Sequence, residues 1–156
     1  MADTNVLKGI QFFTGFTDDE LAVVAGIVER KDFKSGDTVF SEAEDGKALY
    51  IIKKGEVKAC RMGPNGELVT LTLMKDGEVF GEMGFLDGRS RSASIVAVSN
   101  VETYVLEKND FETIVESHPR VVYKLMKNIV FAVHSIVRGM NTRYVEMMNY
   151  MWGRRR

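Results

Sequence analysis

The sequence predicts a mainly β protein: a jelly-roll barrel (double-stranded β-helix) with two helices before it and one long helix after it. Three observations lead there. Short β-branched and aromatic runs recur about every ten residues through the middle of the chain. Glycine-bearing turns bound them: Lys34-Ser35-Gly36-Asp37, Glu44-Asp45-Gly46, Lys54-Gly55, Gly63-Pro64-Asn65-Gly66 and Lys75-Asp76-Gly77. On both sides of that stretch apolar residues return at helical spacing. With 156 residues, 45% of them apolar, residues 1–156 suffice for one compact domain and are too few for two.

Val6, Ile10 and Phe13 recur at helical spacing and predict a first helix. Thr17-Asp18-Asp19-Glu20 is an N-cap with acidic first-turn residues, opening a second helix that holds Leu21, Val24, Ile27 and Val28. Helices are thus expected over residues 1–30 and the barrel over 31–107. Strands are expected at Thr38 to Phe40, Ala48 to Ile52, Glu56 to Ala59, Leu68 to Met74, Ser92 to Val98 and Val101 to Leu106. Over 108–152 the helical period is back. Asn109 or Asp110 caps a helix containing Phe111, Ile114 and Val115, which stops near Ser117 because Pro119 disfavours α conformation at His118. Pro119 suits the first turn of a last helix, expected from Arg120 to about Met151 and so about 45 Å long.

Such a helix outruns a small barrel. Val122, Met126, Ile129, Val133, Ile136 and Met140 alternate by four and three as in a coiled coil, which predicts a homodimer joined through helix 120–151. Packing of that face into the chain's own core is the competing expectation. Past Gly139 the repeat loosens where it meets Arg143.

Charge and composition exclude several classes of function. Lys plus Arg number 21 against 22 Asp plus Glu, so no net basic field draws the molecule to nucleic acid, and the Arg154-Arg155-Arg156 run reads as a solvated tail. One cysteine, Cys60, and two histidines, His118 and His134, cannot build a disulfide framework or a zinc cluster; a cytoplasmic location is expected. Asp3, Lys8 and Gln11 interrupt the N-terminal apolar stretch, unlike a signal peptide, and no apolar run reaches the roughly 18 residues of a membrane span. A metal-dependent jelly-roll enzyme needs histidines on barrel strands, whereas both histidines lie in or beside helices. A haem or iron–sulfur sensor lacks its ligands too, so neither enzyme activity nor a cofactor is expected.

Phe80 to Ala93 has a composition that barrel-building alone does not ask for. Gly81, Gly84 and Gly88 let backbone come close to a ligand, and a helical turn at Met83 to Leu86 presents N–H groups to an anion. Arg91 opens the next strand with a fork of donors suited to a phosphodiester, while Glu82 accepts from a sugar hydroxyl. Together they suit a ribose-phosphate.

Phe80, Gly81, Glu82, Gly84, Arg91, Ser92 and Ala93 resemble the phosphate-binding cassette (residues 80–93) of cyclic-nucleotide-binding domains, the family of catabolite activator proteins and protein kinase A regulatory subunits. The resemblance extends over nearly the whole chain through Gly36, Gly46, Gly55 and Gly77. It implies a regulatory module that binds cAMP, with cGMP as the alternative because Ser92 does not separate the two. It implies Glu82 on the ribose 2′-hydroxyl, Arg91 on the cyclic phosphate, and backbone N–H groups near Gly84 and Ser92 beside them. Leu73 and Met83 are expected as apolar walls for the base, and His134, Ser135 or Arg138 as its polar reader. The sequence stops after the long helix, where the transcription-factor members begin a helix-turn-helix, so DNA binding is not expected and output passes to an unidentified protein. A jelly-roll dimerisation module that has lost its ligand is the alternative.

Overall fold

The computed structural model describes residues 1–153, and the Arg154-Arg155-Arg156 run lies outside them. Its strands are β1 (Val28–Phe33), β2 (Thr38–Phe40), β3 (Ala48–Lys54), β4 (Val57–Met62), β5 (Leu68–Met74), β6 (Val79–Phe80), β7 (Ser94–Ala97) and β8 (Val101–Glu107). They form two antiparallel four-stranded sheets, one in the order β1-β8-β3-β6 and the other β2-β7-β4-β5. This interleaving of early and late strands is the jelly roll that the turn spacing predicts.

Helices α1 (Thr4–Lys8) and α2 (Asp18–Ala25) precede the barrel, α3 (Glu82–Asp87) interrupts it, and α4 (Lys108–Glu112) and α5 (Pro119–Gly153) follow it. Two cores result. Ala48, Tyr50 and Ile52 of β3 point between the sheets with Val57, Met74, Phe80 and Ile95, while Leu49 and Ile51 point outward beneath the helices with Phe13, Leu21, Phe85 and Leu125. Alternation along a strand puts neighbours on opposite faces, so a strand covered on both reads as a continuous apolar run. At α2 the Thr17 hydroxyl accepts from Glu20 N–H and the Glu20 carboxylate accepts from Thr17 N–H, a complete capping box.

Several boundaries differ from expectation. The helical pattern does not continue to Val28: α2 stops at Ala25 with Gly26 as C-cap, and Val28 opens β1. The first helix breaks at Gly9, leaving Gln11–Phe13 as a separate 3-10 turn. Glu107, not Asn109 or Asp110, occupies the N-cap of α4, and Ile114 and Val115 follow that helix in turns. Cys60 is fully buried, its Sγ 4.0 Å from Thr70 Oγ1.

The seam proposed for α5 is largely used within the chain. Ile129 is buried, Val122, Met126 and Val133 pack against the outer core, and Ile136 packs against the barrel interior; of the expected six only Met140 remains exposed. Polar ties fix the same half of the helix. Lys124 Nζ lies 2.6 Å from Glu20 Oε2 and donates to the Gly15 carbonyl, and Asn128 Nδ2 donates to the Phe12 carbonyl. The helix has 35 residues, about 52 Å of length, and its distal half carries exposed Val137, Tyr144, Val145 and Met147.

Candidate functional site

The barrel opens into a cavity of about 460 Å³ between the sheet of β4, β5 and β7, the α3 segment and one side of α5. Gly81, Glu82, Met83, Gly84, Arg91 and Ser92 all line it. Gly81 and Arg91, ten positions apart, meet because α3 folds the chain back. Gly81 caps α3 at φ 81°, a left-handed conformation that favours glycine, and a Cβ there would lie 2.7 Å from the Ala48 carbonyl and 2.9 Å from Arg91 Nη1. Phe85, on the far face of α3, is buried against Phe111 with ring centroids 5.1 Å apart and pins the turn to the outer core.

Arg91 is the centre of the site. It is 6% exposed, although no carboxylate forms an ion pair with it among the described residues. Its Nη1 donates to the Gly81 carbonyl and its Nη2 to the Ala48 carbonyl, both at 3.0 Å, and its Cζ stands 4.1 Å from the centroid of the Phe40 ring. The buried Nε has no hydrogen-bond partner. Gly46 leaves room before that edge: a Cβ there would stand 2.8 Å from both Nε and Nη2. Burial lowers the affinity of the guanidinium for its proton, and a buried donor without an acceptor is costly. An anion in the cavity would remove both penalties.

Glu82 is half-buried at the opening of α3. Burial holds its carboxyl above the ordinary carboxylate range, with its own backbone N–H and the Arg91 charge pulling the other way. The rest of the wall is apolar: Ala59, Leu71, Met74, Phe80 and Ile95 from the barrel, and Val133, Ile136, Val137 and Met140 from α5. A charged end and an apolar end suit a ligand with a phosphate at one end and a flat ring at the other.

Two expectations about the far wall are corrected. Leu73 is 53% exposed and does not line the cavity; Thr72 and Met74, on the other face of β5, do. Leu71 joins them because the register slips there, Ala59 pairing with Thr72 and Cys60 with Thr70, which leaves Leu71 bulged. His134, Ser135 and Arg138 are exposed and absent from the cavity wall, and Ser135 lines a separate hollow with Gln11, Lys127 and Phe131 on the other side of α5. Phe40 and Thr72 are site residues that the sequence reading missed. Arg89 is an exposed residue paired with Asp87 at 2.9 Å.

Residues 30–118 match the cyclic nucleotide-binding domain family, more than half of the chain and including Gly81, Glu82 and Arg91. The chain belongs to the cyclic nucleotide-binding domain family. Within the family it is 34% identical over 119 residues to the cyclic AMP receptor protein of Thermus thermophilus, an alignment covering 76% of this chain and 55% of that one. It is 31% identical over 108 residues to a cAMP-dependent protein kinase regulatory subunit of Hypocrea atroviridis, covering 69% of this chain and 22% of that one. The chain thus spans about half or less of the length of these curated relatives. A solved cyclic nucleotide-binding domain from Methylobacillus flagellatus shares the fold with a TM-score of 0.81 at 22% identity, over 92% of this chain and 81% of that one. No helix among the described residues is long and apolar enough to cross a membrane.

Proposed function

We propose that this cyclic nucleotide-binding domain is a regulatory sensor whose ligand is cAMP, bound with its phosphate on Arg91 and its ribose on Glu82. The observation that carries the reading is the buried, unpaired Arg91 guanidinium with a free Nε beside the cavity. A phosphodiester oxygen offers the acceptor and the negative charge that the site lacks. The ribose 2′-hydroxyl donates to the Glu82 carboxylate, whose burial makes a hydroxyl partner valuable. The purine lies against Val133, Ile136, Val137 and Met140 of α5, with Met83 on the near side. The relatives named for cyclic AMP support that choice of base. The role is regulatory, a reading supported by the relatives named as a cyclic AMP receptor protein and a protein kinase regulatory subunit.

A signal follows from the walls. Ligand favours the arrangement in which α3 and α5 close on it, a shift of population limited by its difference in affinity for the two arrangements. A homodimer through α5 is part of this reading, on a seam other than the one the sequence first suggests. Tyr123, Val130, Val137 and Tyr144 recur every seven residues and are exposed, and Met140 and Met147, each three residues after a member of the repeat, are exposed beside them. Val137 and Met140 belong to both the seam and the cavity wall, which couples ligand to partner. The downstream partner is a further protein, and a cytoplasmic setting fits the buried, unpaired Cys60.

The test is the melting midpoint without ligand, with cAMP, with cGMP, and with 5′-AMP as control. Ligand at about 100 times its Kd adds about 2.7 kcal/mol, which raises the midpoint by several degrees at this size. The expected result is a rise with cAMP and none with 5′-AMP. A larger rise with cGMP corrects the base, and no rise with either cyclic nucleotide leaves a ligand-free dimerisation module.

A further inference from the structure

We propose that Phe40 is a positioning residue for the anion site, its ring setting the tilt of the Arg91 guanidinium so that the free Nε–H edge meets a phosphate oxygen. The inference rests on the reading of the cavity as a nucleotide site. The two hydrogen bonds from Nη1 to Gly81 and from Nη2 to Ala48 lie at one side of the planar group and fix a line. They leave it free to rock about that line. Contact of its face with the Phe40 ring, Cζ to centroid 4.1 Å, removes this freedom. A fork of donors recognises an anion only when its plane is correctly aimed, so the tilt bears directly on affinity.

Phe40 is itself held. Its ring lies 5.8 Å from that of Tyr50 and 5.9 Å from that of Phe80, and those two are stacked at 4.9 Å. A register slip in β2, with Thr38 opposite Val96 and Phe40 opposite Ile95, lets the consecutive residues Val39 and Phe40 both pack on the barrel interior. The ring's negative face also offsets part of a charge that Glu44, Glu82 and Glu107 balance only from a distance, without an ion pair.

The test is calorimetric titration of the folded protein with cAMP and with cGMP. The variants are Phe40→Leu, Phe40→Tyr, protein carrying progressively fluorinated phenylalanine at position 40, and Phe40→Leu in an Arg91→Lys background. Fluorination keeps the ring's shape and drains its face, so it separates positioning from packing even where Phe40→Leu folds poorly. Phe40→Leu is expected to weaken binding about tenfold, Phe40→Tyr to restore it, and each fluorine to weaken it further. In the Arg91→Lys background the Phe40→Leu effect should shrink to about twofold or less, because the two residues act as one unit. Binding by wild type, with unchanged affinity in Phe40→Leu or the fully fluorinated protein, overturns the role of Phe40 alone. Wild type that binds neither nucleotide overturns the underlying reading.

Discussion

Arg143 Nη2 donates to Thr72 Oγ1 at 2.9 Å, and Arg143 Nη1 donates to the carbonyl of bulged Leu71 at 3.2 Å. The pair ties the distal half of α5 to the β5 edge of the cavity, just beyond the wall residues Val137 and Met140. The bond to Leu71 is exposed and the one to Thr72 part-buried, so together they are worth about 1 kcal/mol. Arg143→Ala should speed nucleotide release about threefold to fivefold and raise amide exchange over residues 137–150 in the unliganded protein. Stopped-flow displacement and hydrogen exchange measure the two. Unchanged values for both would mean that the tie does not hold the helix.

Glu82 makes both stability and affinity depend on pH. A carboxyl whose folded pKa is raised holds its proton more tightly folded than unfolded, so stability falls as pH rises from the ordinary carboxylate range through the raised folded value. Ligand affinity should rise across the same window, because only the ionised carboxylate accepts from the ribose hydroxyl without first losing a proton. Melting curves and titrations between about pH 4 and pH 7 read both slopes. Glu82→Gln should flatten both.

Ala43 sits at φ 67°, the one non-glycine residue with positive φ among the described residues. The strain is built into the loop that pairs with the site: Ala43 N–H donates to the Arg91 carbonyl and Arg91 N–H to the Glu44 carbonyl. Ala43→Gly relieves the left-handed penalty, less the added entropy of the unfolded chain, a net gain of about 0.5–1 kcal/mol. The melting midpoint should rise by about 1–4 °C with ligand affinity unchanged. A fall would show that the loop tolerates alanine without strain.

Tyr144 separates association from binding, since it lies on the exposed seven-residue repeat and outside the cavity wall. Tyr144→Glu should shift sedimentation from dimer to monomer at micromolar concentration while the monomer still binds nucleotide. A dimer that survives the change uses another surface.

These expectations lean unevenly on the sequence. The jelly roll was legible because each turn carries its glycine, and one end of the cavity wall because Gly81, Glu82 and Arg91 differ in kind from barrel residues. β1 was not: Val28–Phe33 holds four charged residues on a strand exposed along most of its length, and its first residue continues a helical pattern. β6 has two residues, too few for any period. Leu73 was misplaced because the bulge at Leu71 interrupts the alternation on which a face assignment depends. On α5 apolar residues occur on more than one face, so a four-three repeat can be drawn through residues that pack inside the chain as well as through those that do not. Phe40 gave no signal, since its role arises from a bulge and from contacts between strands distant in sequence.

The central claim is that Arg91 is a buried cation waiting for a phosphate, and its most direct test is a calorimetric titration of wild type and Arg91→Ala with cAMP and cGMP. Truncation of a desolvated charge pair typically costs about 2 to 5 kcal/mol. Wild type should bind a cyclic nucleotide and the variant should lose at least about thirtyfold in affinity while its unliganded form stays folded. Equal affinity of the two proteins would contradict the claim.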